Sequence, residues 1–403
     1  MKPLSRCGAQ VGLRLAGSCS PWRQDTIAVG MNQHPSRRSV LTAGLAAAAT
    51  ASTASGQVAG APRIGLIGLG NRSRAHLAAF EALGGVEVTA LSDLEGDRMR
   101  AAKVGPAAEA ELYADYRELI ADKQVQAVVI TAPNYLHAEM AIAALRAGKD
   151  VLVEKPIGIT YQEALRVAAV AAETGQILAV GMQRHFNPAY RKIIDAVRSG
   201  EIGKPYLFAL NEYRGDWNPR TWGWTDPESG KTTPWRHLRE LAGSSLLEFS
   251  VHSYAFLYEM IGQPLSFCAA TGGAVHWPER TTEDNISVIA EFGDARLQHT
   301  YSGSAPGARW QLTVTGSKGS LQYDFREATI RSFGQDAKDL RLSEIEMPRG
   351  QLEQDMYLDF FRAVRERSRP ALHADFAIEA SKLAYGAWIS IDERRIVTAA
   401  DFA

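Results

Sequence analysis

Apolar and polar positions follow two different rhythms along this chain. Between Arg63 and Met182 short, mostly apolar runs recur: Ile64-Gly65-Leu66-Ile67, Val86 to Ser92, Ala127-Val128-Val129-Ile130, Asp150 to Glu154 and Ile177 to Met182. Such runs, bounded by turn residues, read as strands buried on both faces, the pattern of a parallel sheet. Between them Ala107–Ala121, Ala138–Ala147 before Gly148, and Thr160–Thr174 have helical composition. Strand and helix alternating in this way predict a right-handed parallel sheet with its ligand crevice at the carboxyl ends of the strands. From about Gly200 the period changes to two. Lys204–Tyr213 and Leu265–Val275 read as strands, and two hairpins follow: Ser287–Phe292 with Ala295–Tyr301, and Arg309–Thr315 with Ser320–Phe325. This half predicts an open, mostly antiparallel sheet whose outer face is covered by helices or by a second copy of the chain, so a homo-oligomer is expected.

The first strand stops at Gly68-Leu69-Gly70 and becomes amphipathic through Asn71, Arg72, Ser73, Arg74, Ala75 and His76. Glycines at 68 and 70 let the backbone turn sharply and approach a ligand, and the helix that follows presents unpaired N–H groups to an anion such as a pyrophosphate. About twenty residues on, the second strand ends at Asp93, placed to accept hydrogen bonds from ribose hydroxyls and to repel a 2′-phosphate. NAD is therefore favoured, with NADP left open because Ser92 and Arg98 tolerate a phosphate. The fold expected is an α/β Rossmann domain over residues 62–183 and an α+β domain with a mostly antiparallel open sheet over residues 184–403. Cofactor contacts are expected from Gly68, Gly70, Asn71, Arg72 and Asp93, from Pro133, Asn134 and His137 after the Ala127–Ala132 strand, and from Glu154 and Lys155 at the end of the next.

The 44 Lys and Arg against 45 Asp and Glu give a net charge of −1 with no basic block, which removes the electrostatic case for nucleic acid. Residues 1–61 form a leader and linker. Ser36-Arg37-Arg38 precedes a modestly apolar Ala- and Thr-rich stretch at 39–54, which has the form of a twin-arginine export signal over about 31–56. Ala54-Ser55-Gly56 or Ala59-Gly60-Ala61 suits cleavage, and translation is expected to start at Met31. Cys7 and Cys19 lie before the signal, leaving Cys268 alone after it, consistent with folding in a reducing compartment before transport. Export in the folded state implies a periplasmic or secreted protein that carries its nucleotide tightly bound. The export machinery is then a partner, and no metal site is expected.

Glu154-Lys155-Pro156, following the glycine turn, resembles the corresponding segment of the Gfo/Idh/MocA family of sugar and polyol oxidoreductases, and the resemblance covers nearly all of the chain after the leader. It implies a Rossmann domain followed by an open antiparallel sheet, and it puts Lys155 beside nicotinamide and substrate. An ammonium there can hold a substrate hydroxyl, with burial lowering its pKa toward useful values. The family's second motif, an acid and a His four residues apart after a glycine turn, falls on Glu248 and His252 beyond Gly243. On one helix these two share a face, so Glu248 can orient the imidazole and His252 can take the hydroxyl proton. Arg184, in Gln183-Arg184-His185-Phe186-Asn187-Pro188, matches a linker arginine that reaches cofactor or substrate. Two positions depart from the family pattern: Glu248 replaces the common Asp, and Ala255 stands where an Asp often follows. The substrate expected is consequently not that of the best-known polyol branch.

Trp217, Trp222 and Trp224, with Arg236, lie in a Pro- and Gly-rich segment suited to carbohydrate, rings stacking on C–H faces while polar groups take hydroxyls. The expected activity is hydride transfer between bound NAD(P) and a carbinol carbon of a sugar, polyol or glycoside. A redox-neutral glycosidase working through a transient keto-sugar ranks second, because its Tyr-Pro-Thr-His segment is missing and Lys155 is retained. A non-catalytic nucleotide-binding scaffold ranks third.

Overall fold

The computed structural model describes residues 60–215, 230 and 234–403, and the backbone of Trp224–Thr225 and Thr232–Thr233. The stretch at 31–56 expected to be an export signal lies outside the described residues.

The first half builds a six-stranded sheet: β1 (Ile64–Ile67), β2 (Val88–Ser92), β3 (Glu111–Tyr113), β4 (Ala127–Ile130), β5 (Asp150–Glu154) and β6 (Leu178–Gly181). Every pair is parallel, and the order β3-β2-β1-β4-β5-β6 is that of a dinucleotide-binding fold. All residues of β1, β4 and β5 are buried, as their unbroken apolar runs require. The connecting helices are α1 (Asn71–Leu83), α2 (Gly96–Ala102), α3 (Tyr116–Ala121), α4 (Asn134–Arg146) and α5 (Tyr161–Thr174). Thr160 and Glu163 close a reciprocal cap at the start of α5, and Gly175 ends it in the left-handed region. One expectation fails here. Ala107–Ala121 is not a single helix, because residues 111–113 add to the edge of β2 and Asp115 then caps a fresh helix by accepting from the Arg117 N–H.

The second half begins with α6 (Pro188–Arg198), β7 (Pro205–Arg214), the short pair β8 (Trp224–Thr225) and β9 (Thr232–Thr233), α7 (Arg239–Ala242) and α8 (Val251–Ile261). Then come β10 (Phe267–Gly273), β11 (Asn285–Phe292), β12 (Ala295–Ser302), β13 (Ala308–Gly316), β14 (Gly319–Tyr323), β15 (Ala328–Ser332), β16 (Lys338–Asp339), α9 (Gln351–Glu366), α10 (Ala374–Glu393) and β17 (Val397–Thr398). Nine strands form one sheet in the order β16-β15-β14-β13-β7-β12-β11-β10-β17, antiparallel except where β7 runs parallel to β12. Phe208, Leu210, Val288, Leu297, Leu312 and Val314 point inward beneath α8 and α10 and are buried. Their alternating neighbours Ala209, Asn211, Ile289, Gln298 and Thr313 make the opposite face, which no helix covers among the described residues.

The last two helices return to the first domain. Tyr385 of α10 donates to the Gly158 carbonyl at 2.9 Å, and Tyr357 of α9 packs on Phe80 of α1.

Candidate active site

Gly68 follows β1 at φ +86°, a conformation that favours glycine, and a Cβ there would stand 2.6 Å from the Ala132 backbone nitrogen. Gly70, next to the start of α1, has nothing within 4 Å of where its Cβ would be. One glycine is thus demanded by the protein's own packing, while the other leaves open space before the uncapped α1 N-terminus. That open cradle fits a pyrophosphate. Asp93 stands across the turn, its carboxylate accepting from the Leu69 N–H at 2.6 Å and the Glu95 N–H at 2.9 Å. Asn71 opens α1 at the surface. A dinucleotide therefore fits Gly68, Gly70, Asn71 and Asp93.

Other expected cofactor contacts turn out to build the wall around this cradle. The Arg72 guanidinium is spent on two carboxylates, Glu154 at 2.7 Å and Glu353 of α9 at 2.8 Å. Glu154 is buried and also meets His76 Nε2 at 3.1 Å; burial alone would raise its carboxyl, but the Arg72 and His76 contacts hold it far below the usual range. The Tyr357 hydroxyl lies 2.6 Å from His76 Nδ1, so this phenol donates to the ring and Nε2–H donates to Glu154. His137, fully enclosed in the first turn of α4 after Pro133, sits between the Pro156 carbonyl at 2.7 Å and the Ala132 carbonyl at 2.8 Å. It fastens the loops after β4 and β5 rather than offering a nitrogen to a ligand.

Past β5 the chain delivers Lys155, whose side chain is 15 % exposed. Its ammonium donates to the Glu248 carbonyl at 2.6 Å and lies 3.4 Å from the same residue's Oε2. Burial pulls Lys155 below the ordinary lysine value, against the attraction of Glu248 and Glu154. Glu248 lies in a single π-helical turn, Leu246–Ser250, leading into α8. Asn134 Nδ2 donates to its Oε2 at 3.0 Å and Arg236 Nε to its Oε1 at 2.9 Å. Burial opposes ionisation of Glu248, yet Lys155 and Arg236 bring its pKa down to about 2. Arg236 in turn stacks on Trp235, 4.1 Å from the ring centroid.

The expected pairing of Glu248 with His252 is not what forms. No hydrogen bond joins them among the described residues, because two cations and a buried amide compete for the carboxylate more strongly than a neutral imidazole does. His252 opens α8, 8 % exposed, and its Nδ1 has no partner among the described residues. Burial, reinforced by the positive charges of Arg184 and Lys155, holds it well below the ordinary histidine value. That shift favours the neutral imidazole. Arg184 lines a cleft beside the second domain, near enough for its charge to act on this ring. Trp217 and Trp222 lie outside the described residues, as does the side chain of Trp224. The sequence reading missed Glu353 and Tyr357; neither belongs to a local motif, and only the return of α9 brings them to Arg72 and His76.

A Rossmann cradle, a buried lysine after the fifth strand and a buried histidine in the first turn of α8 fit an oxidoreductase class, and sequence comparison agrees. Residues 62–182 match the oxidoreductase family with an NAD-binding Rossmann fold, and residues 190–322 match the GFO/IDH/MocA C-terminal domain. The chain belongs to the Gfo/Idh/MocA family. It is 36 % identical over 159 residues to inositol 2-dehydrogenase of Salmonella typhimurium, covering 39 % of this chain and 47 % of that one, so it spans about half the length of that relative. Inositol 2-dehydrogenase 1 of Saccharopolyspora erythraea is 32 % identical over 246 residues, 59 % of this chain and 70 % of its own. Among solved structures, a levoglucosan dehydrogenase in complex with NADH superposes with a TM-score of 0.71 at 20 % identity, over 84 % of this chain and 98 % of that one, a likeness of fold.

Proposed function

We propose that the protein is an NAD-dependent dehydrogenase acting on a CH–OH group of a sugar, polyol or glycoside. The observation that carries this reading is His252: a buried, neutral imidazole whose Nδ1 has no partner among the described residues, within the field of the largely buried Lys155 ammonium. Bound NAD supplies the hydride acceptor at the carboxyl end of the first sheet. The Lys155 ammonium holds the oxygen of the substrate hydroxyl and stabilises the negative charge that develops on it. His252 takes the hydroxyl proton. Glu248 fixes Lys155 through its carbonyl and carboxylate, and is itself held by Asn134 and Arg236. The names of the relatives favour a polyol or anhydrosugar substrate; Ala255 at the site of a common family carboxylate favours one other than inositol.

The Arg37-Arg38 leader and the single cysteine after it support export in the folded state, with the nucleotide travelling bound. The uncovered face of the second sheet supports a homo-oligomer built across it.

The test is spectroscopic. Purified protein, assayed with NAD and a panel of polyols and aldoses, should give reduced-nicotinamide absorbance without release of aglycone from glycosides. His252→Asn should lower kcat by about 10²–10⁴-fold while retaining NAD binding. Aglycone release without net reduction would instead establish the glycosidase reading.

A further inference from the structure

Two adjoining cavities lie on the second domain beside the first turn of α8. One, of about 420 Å³, is lined by Glu212, Arg214 and Trp310; the other, of about 380 Å³, by Tyr190 and Tyr323; both are bordered by Arg184, Phe325 and Arg326. Each is large enough for a small ligand. The larger one is tied to the proposed base through the next residue along the helix. Ser253 donates its hydroxyl to Glu212 Oε2 at 3.3 Å and accepts from Trp310 Nε1 at 3.1 Å.

The charges around this cleft do not balance. Arg214 is committed to Glu212 at 2.6 Å and to the Phe249 carbonyl at 2.9 Å. Asp324 is turned back on its own loop, accepting from the Arg326 and Glu327 backbone N–H groups at 3.1 and 3.0 Å. Arg184, Arg326 and the exposed Arg309, which also lines the larger cavity, form no ion pair among the described residues. The Tyr190 hydroxyl, on a residue 2 % exposed in the wall of the smaller cavity, faces the Arg184 guanidinium and has no other partner among them. Phe325 takes φ +77°, unusual for so bulky a residue. That conformation lays its ring 4.5 Å from Trp310 while leaving it 45 % exposed at the rim. Strain of this kind concentrates where a ligand is held.

We infer that this cleft receives the acidic end of the substrate: a sugar acid whose carboxylate lies on Arg184 and Arg326 and whose ring lies along Phe325, with a carbinol carbon directed toward His252. This rests on the dehydrogenase reading for the position of the reacting carbon only. A guanidinium matches a carboxylate in a planar, bidentate way.

The experiment is a calorimetric titration of the NAD-loaded protein with uronates, the parent neutral aldoses and hexose 6-phosphates, with nicotinamide reduction followed in parallel. Uronates should bind at least about tenfold more tightly than neutral parents. Arg184→Gln and Arg326→Gln should each remove most of that preference while thermal unfolding and near-UV dichroism stay as in the wild type. Equal binding of neutral sugars, tighter binding of phosphates, or a preference untouched by either substitution overturns the inference. The two readings separate cleanly. Arginine-dependent uronate binding with no reduction by any sugar supports this cleft and removes the dehydrogenase, whereas reduction by neutral sugars with no acid preference does the reverse.

Discussion

The two glycines of the nucleotide turn look alike in sequence but answer to different demands. Gly68 is held by its own protein: a methyl group there meets the Ala132 backbone, and the backbone dihedral is unfavourable for any other residue. Gly68→Ala should cost at least about 2 kcal/mol in denaturant unfolding, with or without NAD. Gly70→Ala should leave unfolding nearly unchanged and weaken NAD by about tenfold or more, measured by nicotinamide or tryptophan fluorescence, because only the ligand needs that space. At Glu248 the sign of the pH effect follows from its lowered pKa. The unfolded carboxyl titrates near 4.5 and the folded one at about 2, so the stability it contributes is complete above the first value and is lost as pH falls toward the second. Glu248→Gln should flatten the thermal-unfolding profile across that window. For His252, held well below 6.5, the acid limb of kcat/KM should lie below that value; a limb at or above it contradicts a neutral, buried base. The types and positions of Lys155, Glu248 and His252 were legible in the sequence. The wiring was not: a spacing of four says that two side chains share a helix face, but not that a lysine from another domain and an arginine twelve residues upstream will claim the carboxylate first.

At the scale of elements, apolar runs and period-two segments located β1, β2 and β4 to β7 and both hairpins. Edge and tertiary elements escaped. The three-residue β3 exists because β2 offers an unpaired edge, and its Glu111-Leu112 is exposed, so it carries no burial pattern to read. The helix α9 has an apolar face like many others, and nothing in its sequence says that Glu353 will reach Arg72. Within this contact the Tyr357–His76–Glu154 chain sets the tautomer of a fully buried ring. Tyr357→Phe removes a donor with almost no change of shape and should cost about 1–2 kcal/mol, read as a shift in the urea midpoint at constant m. An unchanged midpoint would mean that Nδ1 is satisfied in another way.

At the scale of the whole molecule, the wide sheet leaves one face to find its own cover. Ile289 lies on β11, third from one edge, 54 % exposed and flanked by Ala269 and Gln298 on the neighbouring strands. If a second copy covers this face, Ile289→Glu buries an unpaired charge at the contact and should release monomers in size-exclusion chromatography with light scattering. A wild-type protein that is already monomeric would rule this out.

Arg72 clasps a residue 82 positions downstream in its own domain and another 281 positions away in α9. The nucleotide half therefore does not hold its own charges in place. Cut out as residues 62–182, it would lose one of two anions around that guanidinium, together with the phenol that fixes His76. Grafted onto another sheet domain, it would need an acid and a tyrosine presented from the new partner at the same two places. In this chain the two regions are thus recognised separately in sequence but are not interchangeable cassettes, and a chimera carrying its Rossmann half should work only when α9 travels with it.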